Sequence, residues 1–269
     1  MPTTSSTAAI ATLLIDVGNT NTKVGVASPG AALASYVFPT RSQGTPDAWG
    51  LLLRGALGHA GCDVSRLAGA VICGVVPPVH PLISKALMRF FGIKPLFVPD
   101  DLPIPMANKY QRPAEVGADR LVTAFAARRL FSEPSLIAVD FGTATTFDCV
   151  TGDDYLGGLI CPGVLSSAQA LASNTAKLPH ISLELDSKEL HIGRGTAESL
   201  SQGLIFGFAA LAEGLIARLA AQLPGPVAVV ATGGFAEVLG PVCPALGAVR
   251  PDLLLEGLGL LCEESGIFR

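Results

Sequence analysis

Residues 13–26 read LLIDVGNTNTKVGV. An apolar run enters Asp16, the chain turns at Gly18, and a second apolar run leaves through Val24 and Val26. This pattern predicts two antiparallel strands joined by a tight bend. Gly18 supplies the backbone freedom such a bend needs. Val17 leads into a tip crowded by Asn19, Thr20, Asn21 and Thr22, and Lys23 adds positive charge. Together with the backbone N–H groups of a tight turn, these side chains offer the donors a polyphosphate requires. Asp16, closing a buried strand, is suited to hold a divalent ion through water. Taken alone, the stretch serves equally well as an ordinary hairpin with a polar tip, because turn residues gather there for local reasons.

A second copy changes that balance. Residues 136–150 read LIAVDFGTATTFDCV, about half a chain further on. Aligned on the aspartates, Asp16-Val17-Gly18-Asn19 matches Asp140-Phe141-Gly142-Thr143, and Thr22 matches Thr146. Two apolar strands that each end in Asp-x-Gly-polar predict a duplicated α/β molecule with a phosphate-gripping bend in each half. The division falls in the polar stretch 132–135, giving domains 1–131 and 132–269.

Composition supports a well-filled fold. Of 269 residues, 49% are hydrophobic and 15% charged, which excludes intrinsic disorder. A net charge of −4 without a basic run argues against a nucleic-acid partner. The six cysteines show no short metal or redox spacing and lie mostly in apolar runs, so they read as reduced core thiols of a cytoplasmic protein. The first residues, MPTTSSTAAIATLL, lack the basic start of a signal peptide. Residues 204–223 are the most membrane-like stretch, but Glu213 and Arg218 interrupt them, so a buried helix is expected and no membrane association.

Along the chain, strands are expected over 11–17, 20–27 and 33–39, then a helix over 47–60. A strand at 68–75, a helix at 79–91 closed by Gly92, and a strand at 94–98 follow. Residues 99–113 form a proline-rich loop before a helix at 114–131. In the second half, the hairpin continues into a third strand at 155–160, a helix at 163–173 and a strand at 181–185. A long helix at 197–222 carries Gly203, Gly207 and Gly214, which ask for a close packing partner. Thr196 suits its N-cap. A strand at 227–231 runs into Thr232-Gly233-Gly234 and a further helix, and a helix at 251–264 closes the chain. Asp148, Asp153 and Asp154 read as structural or solvated. No G-x-x-x-x-G-K-[ST], no strand-borne G-x-G-x-x-G and no G-x-S-x-G occurs, and His59, His80, His180 and His191 form no H-E-x-x-H. Any ATP site therefore rests on the two bends.

Tandem Asp-x-Gly bends followed by a strand–Gly-Gly–helix resemble the actin-like ATPase superfamily, which includes sugar and acetate kinases. That resemblance implies two tandem ribonuclease-H-like domains with ATP in a central cleft. The match narrows with the ordered set DVGNTN at 16–21, EVGADR at 115–120, DFGTATT at 140–146, TAKLP at 175–179, IGRGT at 192–196 and ATGG at 231–234. This set is similar to the type III pantothenate kinase family over nearly the whole chain. The resemblance implies ATP-dependent phosphorylation of pantothenate, the entry step of coenzyme A synthesis. Asp16, Val17, Gly18, Asn19, Thr20, Asn21, Thr22 and Lys23 would wrap the phosphates of ATP with Mg2+, and Thr143 would add a contact. Asp140 would sit at a monovalent cation, potassium or ammonium. Gly117, Ala118, Asp119 and Arg120 would contact pantothenate, with Asp119 taking the proton of its primary hydroxyl. Tyr110 would add a further substrate contact. Thr196 would reach the site of the neighbouring subunit in a homodimer, and the second half would carry a dimerisation helix and an adenosine motif. Two positions depart from the family pattern: Gly195 stands where asparagine is usual, and Thr123 where asparagine is common. Competing readings are a non-catalytic ATP-binding regulator and a kinase of the same fold for another small alcohol.

Overall fold

The computed structural model describes residues 11–28, 30–174, 183 and 187–267. The strand expected at 181–185 and the TAKLP stretch lie outside the described residues, apart from Leu183. By contacts the chain divides into two compact units: the first comprises Met1–Pro105, Val116–Val122 and Leu254–Arg269, the second Met106–Glu115 and Thr123–Leu253.

The first unit is built on a five-stranded sheet. Its strands are β1 (Ala11–Val17), β2 (Asn21–Ala27), β3 (Ala34–Pro39), β4 (Leu67–Gly74) and β5 (Leu96–Phe97), in the order β3-β2-β1-β4-β5. The first three strands form an antiparallel meander, and β4 and β5 add in parallel. Parallel addition requires a crossover, and α2 (His80–Phe91) supplies it between β4 and β5. Central β1 is apolar on both faces, with Leu13, Leu14, Ile15 and Val17 fully or almost fully buried. Helix α1 (Pro46–His59) starts where Thr45 accepts the Ala48 N–H at 3.2 Å and Pro46 presets the first turn. It packs Trp49, Leu53 and Leu57 into the same core as Ile83 and Leu87 of α2. Helix α2 ends at Gly92, whose φ of 67° is the left-handed stop expected there.

The second unit repeats this plan. Strands β7 (Ser135–Phe141), β8 (Ala144–Thr151), β9 (Asp154–Pro162), β10 (Val227–Thr232) and β11 (Ala248–Val249) lie in the order β11-β10-β7-β8-β9. Again the first three are an antiparallel meander and the last two join in parallel. An additional short strand, β6 (Ala107–Asn108), pairs in parallel with the outer edge of β9. It lies inside the stretch expected to be loop. Helix α4 (Val164–Asn174) and helix α5 (Thr196–Ala220) accompany this sheet, and Ile205, Phe208, Ala212 and Ile216 of α5 join Ile137, Val139, Phe141 and Phe147 in its core. Helix α6 (Ala236–Leu239) follows β10.

Two elements depart from a simple halving of the chain. Helix α3 (Ala118–Leu130) contributes its first residues to the first unit and the remainder to the second. Helix α7 (Leu253–Ser265) ends the chain yet packs on the first sheet: a Cβ on Gly25 would stand 3.3 Å from Leu255, and one on Gly259 would stand 3.6 Å from Leu14. The packed units are therefore assembled from several segments of the chain.

Among the described residues, α5 alone is long and apolar enough to cross a membrane by length and composition. It was expected to be buried, but it buries a single stripe, Gln202, Ile205, Phe208, Ala209, Ala212 and Ile216. A Cβ at Gly203, Gly207 or Gly214 would meet nothing within 4 Å, so the partner expected for these glycines is not found among the described residues. No disulfide joins any of the six cysteines, all of which lie among the described residues.

Candidate active site

The first bend joins β1 to β2. Gly18 N–H donates to the Asn21 carbonyl at 3.1 Å, and Asn19, Thr20 and Asn21 are exposed at the tip. A Cβ on Gly18 would come within 2.9 Å of that carbonyl, so the turn closes this tightly only on glycine. Thr22 is different. It is fully buried, its hydroxyl lies 2.9 Å from that of Thr40, and Thr40 donates to the Gly18 carbonyl at 2.7 Å. The Thr40 N–H also donates to the Thr20 carbonyl at 2.9 Å. Thr22 therefore braces the bend from below, rather than presenting its hydroxyl at the tip as the sequence reading had it. Thr40 was missed because it lies in the polar stretch after β3, with nothing in its neighbourhood to tie it to Gly18.

Asp16, the last residue but one of β1, lies opposite Lys23 on β2 and Cys73 on β4. Burial pushes the Cys73 thiol well above its ordinary range, and the carboxylates of Asp16 and Asp119 push it further the same way. Both aspartates therefore act on one buried thiol within the first unit. Asp119 stands in the first turn of α3. Its Oδ1 accepts the Arg120 N–H at 2.9 Å, and a Cβ on Gly117 would stand 2.3 Å from that oxygen. Glycine at 117 is thus a steric condition for this pose of the Asp119 carboxylate. Asp119 and Arg120 are both half-buried, and Arg112 and Glu115 pair at 2.9 Å just before them.

A cavity of about 450 Å3 opens in the same unit, lined by Gly74, His80, Ser84, Phe97, Asp100 and Ala118 among others. The His80 ring lies 5.2 Å from Phe97, and its Nε2 is buried with no hydrogen-bond partner among the described residues. Burial lowers its pKa, against the opposing pull of Asp100, so the ring is neutral near pH 7. Sequence reading tested His80 only as part of a metal motif and gave no hint of this placement.

The second bend, between β7 and β8, is one residue shorter. Gly142 N–H donates to the Ala144 carbonyl at 3.1 Å, and Asp140 opposes Thr146. In the first bend, Asp16 opposes Lys23. The equivalent of Thr22 is therefore Thr145, not Thr146; both oppose the residue after the aspartate, and both are fully buried. Thr143 is exposed at the tip, and the Ser166 hydroxyl donates to its carbonyl at 2.7 Å. The Thr-Gly-Gly segment that ends β10 closes over Asp140: Gly233 has φ 91°, and a Cβ there would stand 2.2 Å from Asp140 Oδ1. Among the described residues, no three His, Cys, Asp or Glu side chains gather where they could hold a metal. Each bend instead offers one carboxylate with hydroxyl and carbonyl oxygens, a donor set suited to a hard cation that also binds phosphate.

Two further expected site residues lie in the second unit. The Tyr110 ring rests against Gly157 of β9. Thr196 is the first residue of α5, and Gly195 takes the N-cap position expected for Thr196. Gly195 offers no side-chain cap; Glu198 instead ties down the segment before the helix, its carboxylate accepting the Arg194 N–H at 2.7 Å and lying 2.8 Å from His191 Nε2. These bonds hold its pKa below the ordinary glutamate value. Gly193, Arg194, Gly195, Thr196, Ser199 and Leu200 line a hollow of about 510 Å3 at this helix start. Asp148 is structural and not solvated: it is 1% exposed and accepts from Tyr155 at 2.7 Å.

Two units built on the same strand plan, each with an Asp-x-Gly bend, define the ribonuclease-H-like fold of the actin-like class. Solved structures agree on the fold. A ROK family glucokinase from Streptomyces griseus matches with TM-score 0.52 at 15% identity, covering 94% of this chain and 99% of its own. A Campylobacter jejuni protein described as a Baf family transcriptional activator matches with TM-score 0.58 at 16% identity, covering 94% and 98%. The particular family follows from sequence. Its family model, type III pantothenate kinase, matches residues 12–218. Type III pantothenate kinases of Nitratidesulfovibrio vulgaris and Oleidesulfovibrio alaskensis are 58% and 53% identical, covering 94% and 95% of this chain and 97% of each relative. The chain belongs to the type III pantothenate kinase family.

Proposed function

We propose the following division of labour for the family reaction, in which ATP phosphorylates pantothenate to 4'-phosphopantothenate at the start of coenzyme A synthesis. Asp16, Val17, Gly18, Asn19, Thr20, Asn21 and Lys23 hold the ATP phosphates, with Thr22 bracing their bend, and Thr143 adds a contact. Phosphoryl transfer is mostly positioning and charge neutralisation, which a tight bend with exposed donors and one lysine supplies. A divalent ion, Mg2+, would be held near Asp16 through water, and a monovalent cation, K+ or NH4+, by Asp140. Both would neutralise phosphate charge.

Gly117, Ala118, Asp119 and Arg120 hold pantothenate, together with Tyr110. Asp119 orients the primary hydroxyl and takes its proton. The planar guanidinium of Arg120 receives the substrate carboxylate. The observation that carries this reading is the pose of Asp119, fixed by the Arg120 N–H and allowed by Gly117, in the unit that also bears the first bend. The test is Asp119→Asn. Turnover should fall by about two to four orders of magnitude while ATP binding persists. Near-normal turnover would remove Asp119 from the base role.

The protein acts as a cytoplasmic homodimer in this reading, with Thr196 reaching the partner's pantothenate. Exposed apolar side chains and open glycines in the second unit support an interface: Ile192 is 89% exposed and Ile160 67%, and a Cβ on Gly203, Gly207 or Gly214 of α5 would meet nothing within 4 Å.

A further inference from the structure

The strand that receives Tyr110 is irregular in one place. Cys149 opposes Gly157 but Val150 opposes Tyr155, so Leu156 is an extra residue that bulges from the ladder. Gly157 follows with φ 112°, a conformation that residues with a Cβ rarely adopt. The Tyr110 ring occupies the space so opened: a Cβ on Gly157 would stand 3.0 Å from Cδ2 and 3.2 Å from Cε2 of Tyr110.

Further bonds fix both sides of this contact. On β9, the fully buried Tyr155 donates its hydroxyl to the buried Asp148 at 2.7 Å, and the Thr146 hydroxyl donates to the same carboxylate at 3.3 Å. On the other side, β6 pairs Asn108 with Tyr155, and the Lys109 N–H donates to the Tyr155 carbonyl at 2.8 Å. Asn108 Oδ1 accepts the Tyr110 N–H at 3.0 Å, and its Nδ2 donates to the Pro113 carbonyl at 3.2 Å. A bulge, a left-handed glycine and a buried carboxylate each cost stability; the glycine meets the Tyr110 ring, and the carboxylate anchors the same strand through Tyr155.

We propose that Gly157 is a positioning residue for pantothenate binding: the β9 bulge, anchored by Tyr155 on Asp148, is the seat that sets the plane and reach of the Tyr110 ring. The inference rests on the reading of Tyr110 as a pantothenate contact. A seat that supports folding alone would be indifferent to whether the aromatic ring is present when substrate binds.

The test is a double-mutant cycle on the full-length enzyme. Gly157→Ala should raise KM for pantothenate by about tenfold while leaving KM for ATP and kcat near wild type. In a Tyr110→Ala background, where KM is already raised, Gly157→Ala should add nothing. Labelling the three tyrosines with 3-fluorotyrosine provides a readout independent of turnover. The Tyr110 resonance, assigned by its loss in Tyr110→Phe, should move in Gly157→Ala and respond less to added pantothenate. If Gly157→Ala does not fold, Asn108→Ala, which frees the Tyr110 N–H, runs through the same cycle. A raised KM in Tyr110→Ala with an unchanged KM in Gly157→Ala or its substitute overturns the inference alone. An unchanged KM in Tyr110→Ala overturns the substrate-contact reading and the inference with it. Equal effects of Gly157→Ala with and without the ring reduce the seat to a structural role.

Discussion

At the scale of single residues, candidates for chemistry were easier to name than the residues that support them. Asp119 and Arg120 stand out through the resemblance of EVGADR to the family pattern, and the structure adds a steric reason for Gly117 before them. Thr40 and His80 carry no such local signal: one acts across a turn, the other through a cavity wall. Replacing Arg120 by lysine removes the planar fork and should raise KM for pantothenate by about tenfold with little change in KM for ATP. Steady-state kinetics with pantothenate varied checks this, and an unchanged KM would remove Arg120 from the carboxylate. Glu198 gives a pH-dependent case. Its lowered pKa means that its contribution to stability is present above the unfolded glutamate pKa and is lost as pH falls through the folded value. The Tm difference between wild type and Glu198→Gln should therefore favour wild type at neutral pH and shrink to nothing under acid conditions. Equal Tm values at neutral pH would contradict a stabilising role for the Glu198 bonds to Arg194 and His191.

At the scale of elements, long periodic segments were legible, and the bends were read in the right places. Their registers were not, because a one-residue difference in loop length is invisible until strands pair; this is why Thr22 was matched to Thr146 instead of Thr145. Two-residue strands such as β6 and β11 leave no periodicity to read. The closure of Gly233 over Asp140 makes the second bend depend on β10. Gly233→Ala forces a side chain into a left-handed position against a carboxylate and should cost about 1–3 kcal/mol or more of stability. It should also raise KM for ATP and weaken the dependence on K+. Thermal denaturation and ATP kinetics in K+ and Na+ check both, and a wild-type profile in each would dismiss the coupling.

At the scale of the whole molecule, the repeat was legible because each bend follows an apolar strand with the same Asp-x-Gly-polar pattern, even though the second is one residue shorter. The assignment of α7 to the first unit was not, since only packing reveals it. The open face of α5 bears on assembly. Sedimentation should give twice the 27.6 kDa chain mass, and Gly207→Arg should yield a monomer with weakened pantothenate binding and retained ATP binding. A monomeric wild type with full activity would exclude a role for Thr196 across an interface. The central claim is that bends around Asp16 and Asp140 handle the triphosphate while Asp119 serves the acceptor alcohol. Its most direct measurement is ADP release with and without pantothenate, in wild type and Asp119→Asn. The account predicts release that requires pantothenate and collapses in the variant while ATP still binds; release that ignores pantothenate, or survives the substitution, would contradict it.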